Sequence, residues 1–155
     1  MIRSARAEDI PRLIEVQRRA SLIWDAYREQ LEAHPEVIDV PAAQVRLGYV
    51  RVAADAEDRP LGFSAILPRA GHALELDGLF VLPEQMRHGI GGRLVQDVVE
   101  RAHHDGIRRI EVDANPGALA FYKRHGFRQT GVSQTRFGPA PRLALEVSRE
   151  MSLES

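Results

Sequence analysis

The apolar residues of the chain fall into runs of two periods. Ile2 to Arg6 is a short extended run. Ile10, Leu13, Ile14 and Val16 then repeat at helical spacing to about Arg19. Glu8 and Asp9 precede them, where carboxylates suit the positive end of a helix dipole, and Pro11 is tolerated in a first turn. Trp24, Tyr27 and Leu31 keep the spacing in a second helix that ends near His34-Pro35. The stretch to Gln44 carries prolines at 35 and 41 and has no readable period. From Tyr49 the period becomes two. Tyr49–Ala54 and Leu61–Leu67 read as strands joined by the polar turn Asp55–Pro60, which makes a hairpin. His72–Leu82 reads as a longer strand, with Glu75, Asp77, Leu79 and Val81 on one face and Leu74, Leu76, Gly78 and Phe80 on the other. Ile90, Leu94, Val95, Val98, Val99 and Ala102 form one helical face, closed by Asp105-Gly106. A strand Ile107–Val112 follows, then a helix from Asn115-Pro116 that stops at His125-Gly126, glycine being a common left-handed cap. Strands Phe127–Thr135 and Arg142–Val147, joined by a loop over Phe137–Pro141, end the pattern. This order predicts a single α/β (α+β) domain over residues 1–155, a mixed sheet with helices on its faces.

Composition narrows the picture by exclusion. The chain has 155 residues, 44% apolar and 28% charged, the profile of an ordinary globular domain. Its net charge is −1, with no block of like charge, so nucleic-acid binding by bulk electrostatics is not expected. Cysteine is absent, which excludes disulfides, thiolate catalysis and zinc–thiolate sites. With no secretory leader pattern and no stretch near the roughly 20 apolar residues of a membrane span, the expectation is a cytoplasmic protein without a membrane partner. Of the 21 basic residues only Lys123 is lysine. His103 and His104 are neighbours on a helix and diverge by about 100°; the other histidines lack ligand spacing, so no metal is expected.

Candidate chemistry concentrates in Leu79-Phe80-Val81-Leu82-Pro83-Glu84-Gln85-Met86-Arg87-His88-Gly89-Ile90-Gly91-Gly92-Arg93-Leu94. An apolar strand stops at a proline and a glycine-rich turn opens an amphipathic helix, a place where backbone N–H groups can hold a phosphate. A dinucleotide fingerprint would need glycine where Leu94 stands, and a P-loop would need Gly-Lys-Ser/Thr. What remains is Gly89-Ile90-Gly91-Gly92 flanked by Arg87, His88 and Arg93: an anion cradle, or a plain strand-to-helix turn. Glu75 and Asp77, two apart on a strand, are candidate acid–base carboxylates, since neighbouring carboxylates raise one another's pKa; a solvent-facing or salt-bridged pair is the alternative.

A second segment, Asn115-Pro116-Gly117-Ala118-Leu119-Ala120-Phe121-Tyr122-Lys123-Arg124-His125-Gly126-Phe127, also follows a strand. Together the two segments resemble the GCN5-related N-acetyltransferase (GNAT) superfamily. The first is similar to its Arg/Gln-x-x-Gly-x-Gly/Ala loop for the pyrophosphate of acetyl-CoA. The second is similar to its Asn-x-x-Ala-x-x-Phe-Tyr-x-x-x-Gly-Phe signature. The resemblance covers nearly the whole chain. It implies a mostly antiparallel sheet of about six to seven strands and acetyl-CoA as co-substrate, with no metal. One departure is that Met86, which cannot donate to phosphate, aligns with the leading Arg/Gln, while Arg87 lies one place later.

The same resemblance implies roles for single residues. Residues Arg87, His88, Gly89, Ile90, Gly91 and Gly92 would hold the pyrophosphate. A backbone amide of the strand at Phe80-Val81 would meet the oxyanion. Asn115 would contact the pantetheine or the thiol end, or cap its helix, or both. Tyr122 would donate to the departing thiolate, or else pack in the core. Glu75 sits 14 residues before Gly89, where histone-type members carry a glutamate base. Trp24, Tyr27, Arg136, Arg142 and the Phe137–Pro141 loop are weaker candidates for the acceptor side. The implied activity is direct acetyl transfer to a primary amine of a small molecule or peptide. The alternatives are a non-catalytic acyl-CoA-binding module and a protein lysine or N-terminal acetyltransferase. A homodimer through the last strands is a further implication of the resemblance.

Overall fold

The computed structural model describes residues 1–147, apart from the side chains of residues 25–27. Its strands are β1 (Ile2–Ser4), β2 (Val50–Ala54), β3 (Pro60–Arg69), β4 (Ala73–Val81), β5 (Arg109–Asp113), β6 (Arg128–Thr135) and β7 (Gly138–Glu146). Its helices are α1 (Ile10–Leu22), α2 (Asp25–Ala33), α3 (Ala42–Arg46), α4 (Ile90–His104) and α5 (Leu119–Arg124). The strands form one sheet in the order β1-β2-β3-β4-β5-β7-β6. The segment without a readable period holds a short 3-10 turn at Pro35–Val37 and then α3. The described residues group into two compact units. One comprises Met1–Ala65 with Gly78–Leu94; the other comprises Ile66–Asp77 with the described residues from Val95 on.

In the first unit, α1 begins just after Asp9 with Pro11 in its first turn, and buries Leu13, Val16 and Ala20. Leu13 and Val16 join Val50 and Val52 of β2 and Phe63 and Ala65 of β3 in an apolar cluster. The Phe63 and Phe80 rings lie 5.3 Å apart. A second cluster is built from Ala53, Val81, Ile90 and Leu94, with Leu79 and Met86 packed against it. It ties the end of β4 to the start of α4. The polar anchor of this unit is Arg3. Its guanidinium donates to Asp9 Oδ2 at 2.8 Å and Oδ1 at 3.1 Å, and to Asp58 Oδ1 at 2.7 Å. The Arg6 amide donates to Asp9 Oδ2 at 2.8 Å.

In the second unit, β5 pairs antiparallel with β7 from Arg109↔Glu146 to Asp113↔Arg142. It pairs in parallel with β4 at Ala73, Leu74 and Glu75 alone. Ile110, Val112, Leu143 and Leu145 are buried, so the alternate residues Arg109, Glu111, Asp113 and Arg142 share the opposite face. α5 ends in a left-handed turn at Gly126, φ 94°, and the Phe127 amide returns to the Tyr122 carbonyl at 3.1 Å.

The expected loop over Phe137–Pro141 is not there. Thr135 pairs with Gly138 in a tight hairpin, and Pro139 and Pro141 lie inside β7, opposite Gln134 and Val132. Prolines sit in a strand only where no neighbour needs their N–H. The pairing of β7 with β5 begins at Arg142, so both prolines lie where β7 has β6 alone as a strand partner.

Candidate active site

The glycine segment has the geometry of an open helix start. Pro83–Gln85 forms a 3-10 turn, and α4 begins at Ile90. The first closing bond runs from the Arg93 amide to the Gly89 carbonyl, 3.1 Å. Among the described residues, the amides of Gly89, Ile90, Gly91 and Gly92 have no backbone acceptor, as expected of the first turn of a helix. No acidic side chain stands in that turn to cap them. Gly89 adopts φ 80°, and a Cβ built on it would meet nothing within 4 Å. The space beside Gly89 is open, which suits close approach of an anion to the backbone there.

Met86 and Arg87 divide the work at the departure from the motif. Met86 packs its side chain against the cluster of Ala53, Val81, Ile90 and Leu94, so it anchors the loop by apolar contact. Arg87 follows in the left-handed region at φ 72°, a conformation that costs a non-glycine residue about 1–2 kcal/mol. Arg87 and His88 are both exposed. Phe80 and Val81 lie at the end of β4. Phe80 packs on the cluster around Phe63, and Val81 is buried with Ile90. The last pair between β4 and β5 is Glu75↔Glu111, although β5 continues to Asp113.

In the second unit, Asn115 caps the 3-10 turn Pro116–Ala118 by accepting from the Gly117 amide at 2.9 Å. Its Nδ2 is buried without a partner among the described residues, so a donor is left over there. Tyr122 is 6% exposed. Its ring stacks edge-on with Phe127 and Phe121, each at 5.3 Å, as the core reading expects. Burial pushes its phenol well above the ordinary tyrosine value, which keeps it protonated and able to donate.

The two carboxylates of β4 do not share an environment. Glu75 is buried and gripped by Arg142, whose Nη2 donates to Oε1 at 3.0 Å and Nη1 to Oε2 at 3.2 Å. Arg69 Nε lies 3.7 Å from the same carboxylate. Arg142 also donates to Glu111 at 3.1 Å and to Asp113 at 2.8 Å. Desolvation pushes Asp113 up, but bonds from the Ser133 hydroxyl and Arg142 outweigh it and hold that carboxyl low. Asp77 is exposed and has no ion pair among the described residues. Its pKa is raised by desolvation, with Arg69 pulling the other way. The expected cause, mutual repulsion of Glu75 and Asp77, is not the operative one, because the charge of Glu75 is met by arginine.

Arg142, a weaker acceptor-side candidate, is the hub of this network. Sequence reading missed it as a partner of Glu75, since residues 69, 75, 111, 113 and 142 meet only through strand register. The one local signal was the alternation of Arg109, Glu111 and Asp113 with Ile110 and Val112. Trp24 precedes α2 and is partly buried; the side chain of Tyr27 lies outside the described residues. Among the described residues no group of three His, Asp or Glu side chains is placed to hold a metal. No described helix is long and apolar enough to cross a membrane.

The model of the acetyltransferase (GNAT) domain family matches residues 22–139. The chain belongs to this family and is an N-acetyltransferase. It is 30% identical over 138 residues, 86% of each chain, to the peptidyl-lysine N-acetyltransferase YjaB of Salmonella typhimurium. Its fold is also that of the PaiA N-acetyltransferase of Thermoplasma acidophilum, solved with coenzyme A (TM-score 0.71, 19% identity, 94% of this chain and 98% of that one). The same holds for the ribosomal-protein-S18-alanine N-acetyltransferase of Escherichia coli (TM-score 0.71, 18% identity, 96% and 94%).

Proposed function

We propose that this chain is a single catalytic domain that moves the acetyl group of acetyl-CoA directly to a primary amine of a small molecule or peptide, in a ternary complex. The observation that carries the cofactor half is the set of unpartnered amides at Gly89–Gly92, with Arg87 as the side-chain donor and Met86 as the apolar anchor. The spare Nδ2 of Asn115 suits a carbonyl of the pantetheine arm. An amide of β4 near Phe80-Val81 takes the developing oxyanion. The chain has no cysteine, which fits transfer without a cysteine acyl-enzyme.

Tyr122 acts on the leaving group. A phenol held above its usual value of about 10 does not surrender its proton to a thiolate whose acid has a pKa of about 8.5. It stabilises the thiolate by hydrogen bonding instead. Tyr122→Phe therefore lowers kcat roughly 100-fold, with the stabilisation by acetyl-CoA retained.

The acceptor class rests on the relatives. The sequence kinship with a peptidyl-lysine N-acetyltransferase favours a lysine side chain in a peptide as a second reading beside a small amine. The deciding experiment is release of free thiol from acetyl-CoA across spermidine, amino acids, aminoglycosides and a capped lysine peptide. Amine-dependent release is expected. Stabilisation by acetyl-CoA without release for any of these amines leaves a binding module and contradicts the proposal.

A further inference from the structure

A glycine of β3 lies against the one peptide of β4 from which the proposed site needs a donor. Gly62 sits inside β3 without a left-handed φ, so its backbone conformation does not call for glycine. The space around it does. A Cβ built on Gly62 would stand 2.8 Å from the Phe80 carbonyl oxygen, 3.2 Å from Val81 Cγ2 and 3.3 Å from Val81 Cα. A glycine inside a strand commonly marks such a close approach of another backbone. The direction of that backbone follows from two contacts. The Phe80 carbonyl lies against Gly62, and two residues on the Leu82 amide donates to the Leu61 carbonyl of β3 at 2.9 Å. Across a planar trans peptide the C=O and N–H point opposite ways, so the Val81 N–H points away from β3. The Phe80 N–H lies on the same side of its residue as the Phe80 carbonyl and points toward β3. Of the two amides at Phe80-Val81, it is Val81's that is directed out of this strand pair.

We infer that Gly62 is a positioning residue: the room it leaves seats the Phe80 carbonyl against β3 and so aims the Val81 N–H at the thioester carbonyl. This rests on the reading proposed above, that an amide of β4 takes the developing oxyanion. A methyl at position 62 would meet a backbone oxygen and a Cα, atoms that move only with the peptide itself. Turning the carbonyl turns the N–H at the other end of the same rigid plane. A hydrogen bond weakens steeply as it departs from linear, and an oxyanion donor works by being aimed beforehand. Gly78, two residues before Phe80, gives the contrast. A Cβ there would meet side chains alone: Phe80 Cε2 at 2.7 Å, Phe80 Cδ2 at 3.4 Å and Ala65 Cβ at 3.7 Å. Crowding at Gly78 presses on the Phe63–Phe80 ring pair and leaves the Phe80–Val81 peptide in place.

The test is the amide proton–nitrogen NMR spectrum of the full chain with CoA and then with acetyl-CoA, beside melting temperature and kcat for the amine of the screen above that the wild type uses fastest. In the wild type the Val81 amide proton is expected to move downfield with acetyl-CoA relative to CoA, and that of Phe80 to stay. Gly62→Ala is expected to lose that difference and to lower kcat at least about tenfold, while CoA, which lacks the acetyl carbonyl, binds as before. Gly78→Ala is expected to lower the melting temperature and keep the Val81 response. A folded Gly62→Ala that keeps the response and the wild-type kcat overturns this inference alone, and so does a Gly78→Ala that loses the response. Should Gly62→Ala fail to fold, the wild-type spectrum decides: a response at Val81 supports the aiming, and one at Phe80 instead overturns it. A wild type with no acetyl-dependent response at either amide overturns the inference together with the reading on which it rests.

Discussion

Two arginines organise the polar chemistry of this fold, and they do different things with it. Arg3, 12% exposed, closes a ring with Asp9, Asp58 and Arg6. It ties β1 to the start of α1 and to the turn between β2 and β3. Arg142, 29% exposed, gathers Glu75, Glu111 and Asp113 from β4 and β5. The chemistry is the same, a forked guanidinium on carboxylates brought together by register. Around Arg3 every carboxylate is a fastener. Around Arg142 the network takes up Glu75 and leaves Asp77, two residues along the same strand, without an ion pair among the described residues. A salt-bridge network at a candidate site is therefore informative for the residue it omits.

Breaking the Arg142 network should have the largest effect on stability. Arg142→Met leaves Glu75 buried without its bidentate partner, and urea unfolding should show a loss of about 3–5 kcal/mol. Adding Glu75→Met should recover most of it, since removing both charges removes the uncompensated one. Arg3→Met should cost less, about 1.5–3 kcal/mol, because Asp9 keeps its bond from the Arg6 amide.

The Arg3 network also has a pH signature. Arg3 holds the Asp9 carboxyl below its ordinary value, against desolvation that raises it. The stability that Asp9 lends is therefore present above its unfolded pKa of about 3.9 and lost as pH falls through the lower folded value. Asp9→Asn should flatten the loss of stability in acid, as read by melting temperature below about pH 4. The smallest effect has the opposite sign. Ser64 is fully buried and its hydroxyl has no partner among the described residues, so Ser64→Ala should gain about 1 kcal/mol.

Much of this was legible in the chain. Period and punctuation gave β1 to β5, α1, α2, α4 and α5, because each carries its own apolar face and stop signals. The two motif segments alone point to the family. What stayed hidden was everything that depends on register. The ion pairs of Arg142 were hidden because nothing local says that β7 lies beside β5. The Phe137–Pro141 stretch read as a loop because two prolines argue against a strand, and only the short overlap of β5 with β7 makes room for them. The anchoring of Met86 was hidden for the same reason: its partners come from residues 53, 81, 90 and 94. The left-handed turn at Arg87 had no glycine to announce it.

Whether the glycine segment holds the pyrophosphate of CoA is addressed directly by calorimetric titration of the full chain. CoA should bind at least about 100-fold more tightly than pantetheine, which lacks the pyrophosphate and nucleotide, a difference of about 2.7 kcal/mol. Arg87→Ala should narrow that gap without changing the affinity for pantetheine. Equal affinity for the two, or no binding of CoA, would contradict the account.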